Sequence, residues 1–162
     1  MPTRTSTIQQ DLKQTKPFRS RSQEAYVSLL RTADDSKRYL SNLLAADDIT
    51  IQQYNVLRIL RGAGDDGLPT LSVAERMIEL TPGITRLIDR MERKGWVTRE
   101  RGVDDRRRVW CRITDAGLAL LTRLDAPIYS VDDVLNGALS EEELGALTTY
   151  LDKIRAKLSG LK

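Results

Sequence analysis

The chain has 162 residues, 40% of them hydrophobic and 30% charged, with aromatics at only 5% and a formal net charge of +3. That length suits one domain, or a small domain with helical extensions, and no apolar run approaches the roughly 20 residues that cross a bilayer. A single cysteine, Cys111, excludes an internal disulfide, and the lack of histidine removes the commonest general base and transition-metal ligand.

Residues 1–16 are polar, with almost nothing to bury, and are expected to form a mobile tail. From about Pro17, Tyr26, Leu29, Leu30, Ala33, Leu40, Leu43 and Leu44 recur at helical spacing and predict a long first helix. Thr50 with Gln53 three residues on is a capping box opening a second helix through Leu57 and Leu60. Gly62–Pro69 is turn chemistry, and a short helix over about Leu71–Ile78 follows. Thr81 is placed to cap the next helix, with Pro82 at its first position, where a missing N–H costs nothing. That helix, PGITRLIDRMERKG, stops at Gly95.

After Gly95 the period changes from helical to extended. Trp96–Arg101 and Arg108–Ile113 are two short strands around the turn RGVDDRRR, with Val109, Cys111 and Ile113 on an apolar face. Thr114 caps a helix carrying Leu118, Leu121, Leu124, Ile128, Val131 and Leu135, which Pro127 should kink or break. Ser140 and Glu143 form a second capping box, and the last helix aligns Leu144, Leu147, Leu151, Ile154 and Leu158. The fold class is therefore mainly α with a small β-hairpin (α+β), and helix, helix, hairpin in the middle is the winged form of the helix-turn-helix.

Charge is unevenly spread. Residues 1–21 hold five Lys/Arg against one acid and residues 86–112 hold ten against five, while the remainder holds eleven against seventeen. A basic segment in an otherwise acidic chain is the footprint of a nucleic-acid surface. On the helix over 82–94, Ile84, Leu87, Ile88 and Met91 make a complete buried stripe, leaving Gly83, Thr85, Arg86 and Arg90 outward. Arg reads guanine bidentately, a Thr methyl meets the thymine methyl, and the N-terminal end of such a helix points at bases. Arg93 and Lys94 lie in the last turn, where cations favour the helix dipole, and are left out of the base-reading set. In the turn, Asp105 can orient Arg107 toward a narrow minor groove, with Arg106 as the alternate contact. Taken alone, the helix is equally an amphipathic surface helix, and the turn a solvated hairpin tip.

The run TRLIDRMERKGWVTRERGVDDRRRVWCRITDAG resembles the MarR family of regulators, with a helix ending in K-G, the D-x-R of Asp105-Arg106-Arg107 and a closing Ile113-Thr114-Asp115-Ala116-Gly117. Upstream, ITIQQYNVLRIL and VAERM extend the similarity to about residues 20–160. The resemblance implies a homodimer binding pseudo-palindromic double-stranded DNA, usually as a repressor, with both chain ends forming the dimer interface. It implies the DNA-binding set Thr81, Pro82, Gly83, Thr85, Arg86, Arg90, Asp105, Arg106 and Arg107. It further implies a small, often aromatic effector in a cleft between dimer helices and DNA lobe, for which Arg31, Tyr39 and Tyr54 are weak candidates. The corresponding division is a tail at 1–16, a dimerisation helix at 17–46, a DNA-binding lobe at 47–113 and dimerising helices at 114–162.

Family members that sense oxidants use a cysteine near the first helix, and this chain has none there; Cys111 reads as a small buried hydrophobe. No dinucleotide or phosphate-loop motif and no cysteine cluster is present, so no catalytic residue, cofactor or metal is expected and the chain is not read as an enzyme. An enzyme built on carboxylates is the lesser possibility, and a helical protein-interaction module that does not read DNA is the main alternative. The expected location is cytoplasmic, since the N-terminus lacks an apolar signal core.

Overall fold

A computed structural model describes residues 7–102 and 108–161. Its elements run α1 (Thr7–Asp11), α2 (Arg21–Ala45), α3 (Ile51–Ala63), β1 (Leu68–Pro69), α4 (Thr70–Arg76), α5 (Ile84–Arg93), β2 (Val97–Arg101), β3 (Val109–Ile113), α6 (Asp115–Ala138) and α7 (Glu141–Ser159). This is the mainly helical, winged helix-turn-helix arrangement that the sequence predicts. α1 lies inside the stretch expected to be a tail. Ile8 and Leu12 sit four residues apart there, and the Leu12 N–H donates to the Ile8 carbonyl at 3.1 Å.

Helix starts follow from side chains that replace missing backbone partners. Ser20 caps α2, its hydroxyl accepting from the Gln23 N–H at 3.1 Å. At α3 the box closes both ways: Thr50 Oγ1 accepts from the Gln53 N–H at 3.2 Å, and Gln53 Oε1 accepts from the Thr50 N–H at 3.0 Å. That bond lets Gln53 lie buried, at 5% exposure, beside an apolar core. Ser140 and Glu143 repeat the device at α7.

The core takes Leu44 from α2, Val56, Leu57 and Leu60 from α3, Val73 from α4, Ile88 and Met91 from α5, Cys111 from β3, and Leu120, Leu121 and Leu124 from α6. Three strands form an antiparallel sheet in the order β1-β3-β2, with β3 central. The predicted hairpin pairs Val97 with Ile113 and Arg101 with Val109, and β1 adds Leu68 opposite Cys111 and Pro69 opposite Trp110. β1 lies in what the sequence presents only as a turn. Gly67 precedes it at φ +68, and a Cβ there would strike the Cys111 carbonyl.

α6 continues through Pro127. Of the predicted kink or break, no break occurs. Pro127 is exposed, so its ring is accommodated on the solvent side of the helix, while Leu120, Leu121 and Leu124 anchor the turns before it.

Much apolar surface is left uncovered within one protomer. α7 has no buried residue, and Tyr150, Ile154 and Leu158 are 60%, 41% and 50% exposed. Tyr26 and Leu30 of α2 and Tyr129, Val134 and Leu135 of α6 are exposed too.

Candidate nucleic-acid interface

α5 is the helix predicted to carry base-reading residues, but its start is not the one expected. Thr81 does not cap it and Pro82 is not its first residue. Gly83 is the cap, at φ +80, and its carbonyl accepts the first helical bond, from the Leu87 N–H at 3.2 Å. A left-handed residue cannot lie inside a right-handed helix, so the helix begins at Ile84, two residues after Pro82. The Thr81 hydroxyl instead donates to the Glu79 carbonyl at 3.0 Å, tightening the turn between α4 and α5. Thr81, Pro82 and Gly83 are thus the approach to the helix.

The C-terminus is as predicted. Gly95, at φ +74, donates to the Glu92 carbonyl at 2.9 Å, and the Trp96 N–H reaches the Met91 carbonyl at 3.0 Å. This paired closure sends the chain into β2. The Thr114 hydroxyl donates to the Gly95 carbonyl at 2.6 Å and accepts from the Gly117 N–H at 3.1 Å, so one residue ties the end of α5 to the start of α6.

Leu87, Ile88 and Met91 are buried, which fixes the rotation of α5 and leaves Thr85, Arg86 and Arg90 exposed. Neither the Arg86 nor the Arg90 side chain makes an ion pair or hydrogen bond among the described residues. Lys94, by contrast, is committed to the fold: its ammonium lies 2.7 Å from both the Asp48 carboxylate and carbonyl, and over the Trp96 ring. Arg93 donates back to the Asp89 carbonyl at 3.3 Å.

The two acids of α5 are also committed. Arg99, on β2, donates from Nε and Nη2 to Glu92 Oε2 at 2.9 and 2.6 Å, and pairs through Nη1 with Asp89. The Glu92 hydrogen bond, opposed by partial burial, raises the Arg99 guanidinium above its ordinary value. One guanidinium thus engages both carboxylates and offsets one of their two charges, and the strand is strapped to the helix. Sequence reasoning missed Arg99. Its signal is strand parity: Arg99 shares a face with buried Val97, so it needs anionic partners, and Asp89 and Glu92 sit three apart to supply them.

The hairpin closes with the Gly102 N–H donating to the Arg108 carbonyl at 2.8 Å. Asp105, Arg106 and Arg107 lie outside the described residues. Arg112 pairs with Glu100 across the hairpin and donates to the Asp65 carbonyl at 3.0 Å, bracing the sheet. Cys111 is buried with its Sγ 3.4 Å from Thr70 Oγ1, and burial pushes its thiol up, so it stays protonated.

A cleft of about 760 Å³ opens between α2, α3, the α4–α5 turn and α6. Tyr39 and Tyr54 line it; Arg31 does not, being paired with Asp35 on α2 at 3.2 Å. Among the described residues no group of three or more metal-ligating side chains converges, and no helix is long and apolar enough to cross a membrane.

The MarR family model matches residues 49–109, the span from α3 to the hairpin. The multiple antibiotic resistance protein MarR of Salmonella typhimurium is 31% identical over 119 residues, covering 72% of this chain and 81% of that protein. A MarR transcription factor from Planctomyces limnophilus, solved as a crystal structure, is 40% identical with a TM-score of 0.65, covering 84% of this chain and 98% of its own. The MepR–DNA complex of S. aureus superposes with a TM-score of 0.74 at 27% identity, covering 82% and 97%. With the recognition-type helix, its strut and its hairpin in place, the chain belongs to the MarR family.

Proposed function

We propose that this protein is a sequence-specific, DNA-binding transcriptional regulator, acting as a homodimeric repressor released by a small molecule. The observation that carries this reading is the division of charge on α5. Arg86 and Arg90 face outward without partners among the described residues, while Asp89 and Glu92 are held by Arg99. A helix so arranged presents forked donors to an anionic groove, with one of its two carboxylate charges offset and both carboxylates drawn toward Arg99. Arg86, Arg90 and Thr85 read the major groove, Thr81, Pro82 and Gly83 bring the backbone close to it, and Arg107 enters the minor groove. Arg106 is the alternate wing contact and Asp105 the orienting partner.

Dimerisation is supported by the apolar faces of α2, α6 and α7, which a second copy would cover. We assign residues 17–46 and 114–162 to that interface, 47–113 to the DNA lobe and 1–16 to a tail. The comparisons support the same direction: the S. aureus relative is a DNA complex, and the homoprotocatechuate degradative operon repressor of Escherichia coli is 27% identical over 130 residues. The cleft is of the size that holds a drug-sized effector.

The test is selection of bound duplexes from a random pool, followed by titration of the selected operator. Arg86→Ala is expected to cost about 1–3 kcal/mol and to relax specificity at one position of each half-site. Equal affinity and equal specificity of variant and parent would overturn the assignment.

A further inference from the structure

The cleft has a charge balance as well as a size. Its walls are apolar and aromatic, with Leu40, Tyr39, Tyr54, Met77, Ile128 and Val131 among them. Four charged residues line it: Lys37, Asp35, Glu79 and Asp132. Asp35 is shared by Arg31 and Arg38 on its own helix, neither of which faces the cleft. Lys37, the one cation among the described lining residues, is spent on Glu79 at 2.6 Å. Asp132 makes no ion pair or hydrogen bond among the described residues. Acid is thus in excess around an otherwise apolar space.

We infer that this cleft takes an apolar organic cation, whose charge is met by Glu79 in competition with the Lys37 ammonium, in the field of Asp132. The inference rests on reading the cleft as the effector site, and it adds the chemical class. An anionic phenolate or carboxylate of the same size would find no uncommitted cation among the described lining residues and would lie close to two carboxylates. A cation finds two tyrosines among the lining residues, one of which, Tyr54, already has the Arg58 guanidinium over its ring, and a carboxylate that already binds an ammonium. The Lys37 hydrogen bond keeps Glu79 charged, below the usual glutamate range.

Glu79 also has a place in the fold that makes its exchange of partners consequential. It sits in the turn between α4 and α5, its carbonyl accepts from Thr81, its carboxylate accepts from Gln52 at 3.4 Å, and the neighbouring Ile78 N–H donates to Asn55 Oδ1 at 2.9 Å. The Lys37–Glu79 pair therefore links α2 to the segment leading into the DNA-facing helix. A cation that replaces Lys37 unties that link from within the cleft.

The experiment uses two probes of one shape and opposite charge, tetraphenylphosphonium and tetraphenylborate, titrated calorimetrically into the full-length protein. Tetraphenylphosphonium is expected to bind once per protomer and at least about tenfold more tightly than tetraphenylborate. Glu79→Gln should weaken it about five- to tenfold and Asp132→Asn by less, because both acids are partly screened by water, whereas Lys37→Met should tighten it. Equal or tighter binding of tetraphenylborate overturns the inference. So does tetraphenylphosphonium binding unchanged by both Glu79→Gln and Asp132→Asn, or no binding at all, as when the partner subunit fills the cleft. Operator titrations in parallel separate the two readings. DNA binding without cation preference removes only this inference, and cation preference without any selected DNA removes only the regulator reading.

Discussion

α5 and α7 carry similar apolar stripes at helical spacing, yet one is buried by its own chain and the other is not. In α5, Leu87, Ile88 and Met91 disappear into the core shared with α3, α4 and α6. In α7, Leu147, Ile154 and Leu158 stay at the surface of the protomer. Periodicity announces that a face is to be covered; it does not say by whom. For α5 the answer is local, since α5 lies between a turn and a hairpin that fold against it. For α7 the described chain supplies no such cover, and the stripe is the face that the proposed second copy would bury.

The sharpest way to break this comparison is to empty both stripes. Ile88→Ala removes a fully buried side chain and is expected to cost about 2–5 kcal/mol of folding stability, read as a lower denaturant midpoint at unchanged slope. The double change Leu147→Glu with Ile154→Glu should leave the helical content of the protomer nearly unchanged and convert the protein to a monomer by sedimentation equilibrium. Should the double variant unfold the DNA lobe, α7 packs against its own chain and the contrast collapses.

A smaller effect tests the outer face of α5. Arg99→Met keeps the stem that packs beside Val97 and frees Asp89 and Glu92 on the helix offered to DNA. Operator affinity should fall about tenfold on all sequences alike, because the loss is electrostatic and not a lost base contact. A change confined to one operator position would mean that Arg99 itself reads a base.

Much of this is legible in the sequence. Both capping boxes, the Gly95 closure, the strand alternation around Cys111 and the outward Arg86 and Arg90 depend on residues within one or two turns of each other. What was not legible depends on distant partners or on competing local signals. β1 is two residues long and exists only because β3 presents a free edge to Leu68 and Pro69. Thr81-Pro82 is the more conspicuous helix start, but Gly83 takes the left-handed turn that sets α5 on its axis. Pro127 reads as a helix breaker, and tertiary packing of the preceding leucines overrides it.

The smallest effect separates α7 from the lobe once more, through two capping boxes that close on different groups. The box at α3 closes with the neutral amide of Gln53, and the box at α7 with the carboxylate of Glu143, which accepts from the Ser140 N–H at 2.9 Å. That backbone hydrogen bond, helped by the Ser140 hydroxyl, holds Glu143 below the ordinary glutamate value of 4.5. A carboxyl lowered on folding contributes stability above its unfolded value and loses it as pH falls through the folded one. Protonation of Glu143 should therefore fray the first turn of α7 in acid, while Gln53 has nothing to titrate and α3 is held by the core as well. Amide exchange, corrected for intrinsic rates, should show protection at the start of α7 fading from about pH 5 downward, with the start of α3 unaffected over the same range. Glu143→Gln should abolish the pH dependence at α7 and leave its capping intact. If the two helices lose protection together, α7 is not an independently fraying element but part of the same cooperative unit as the DNA lobe.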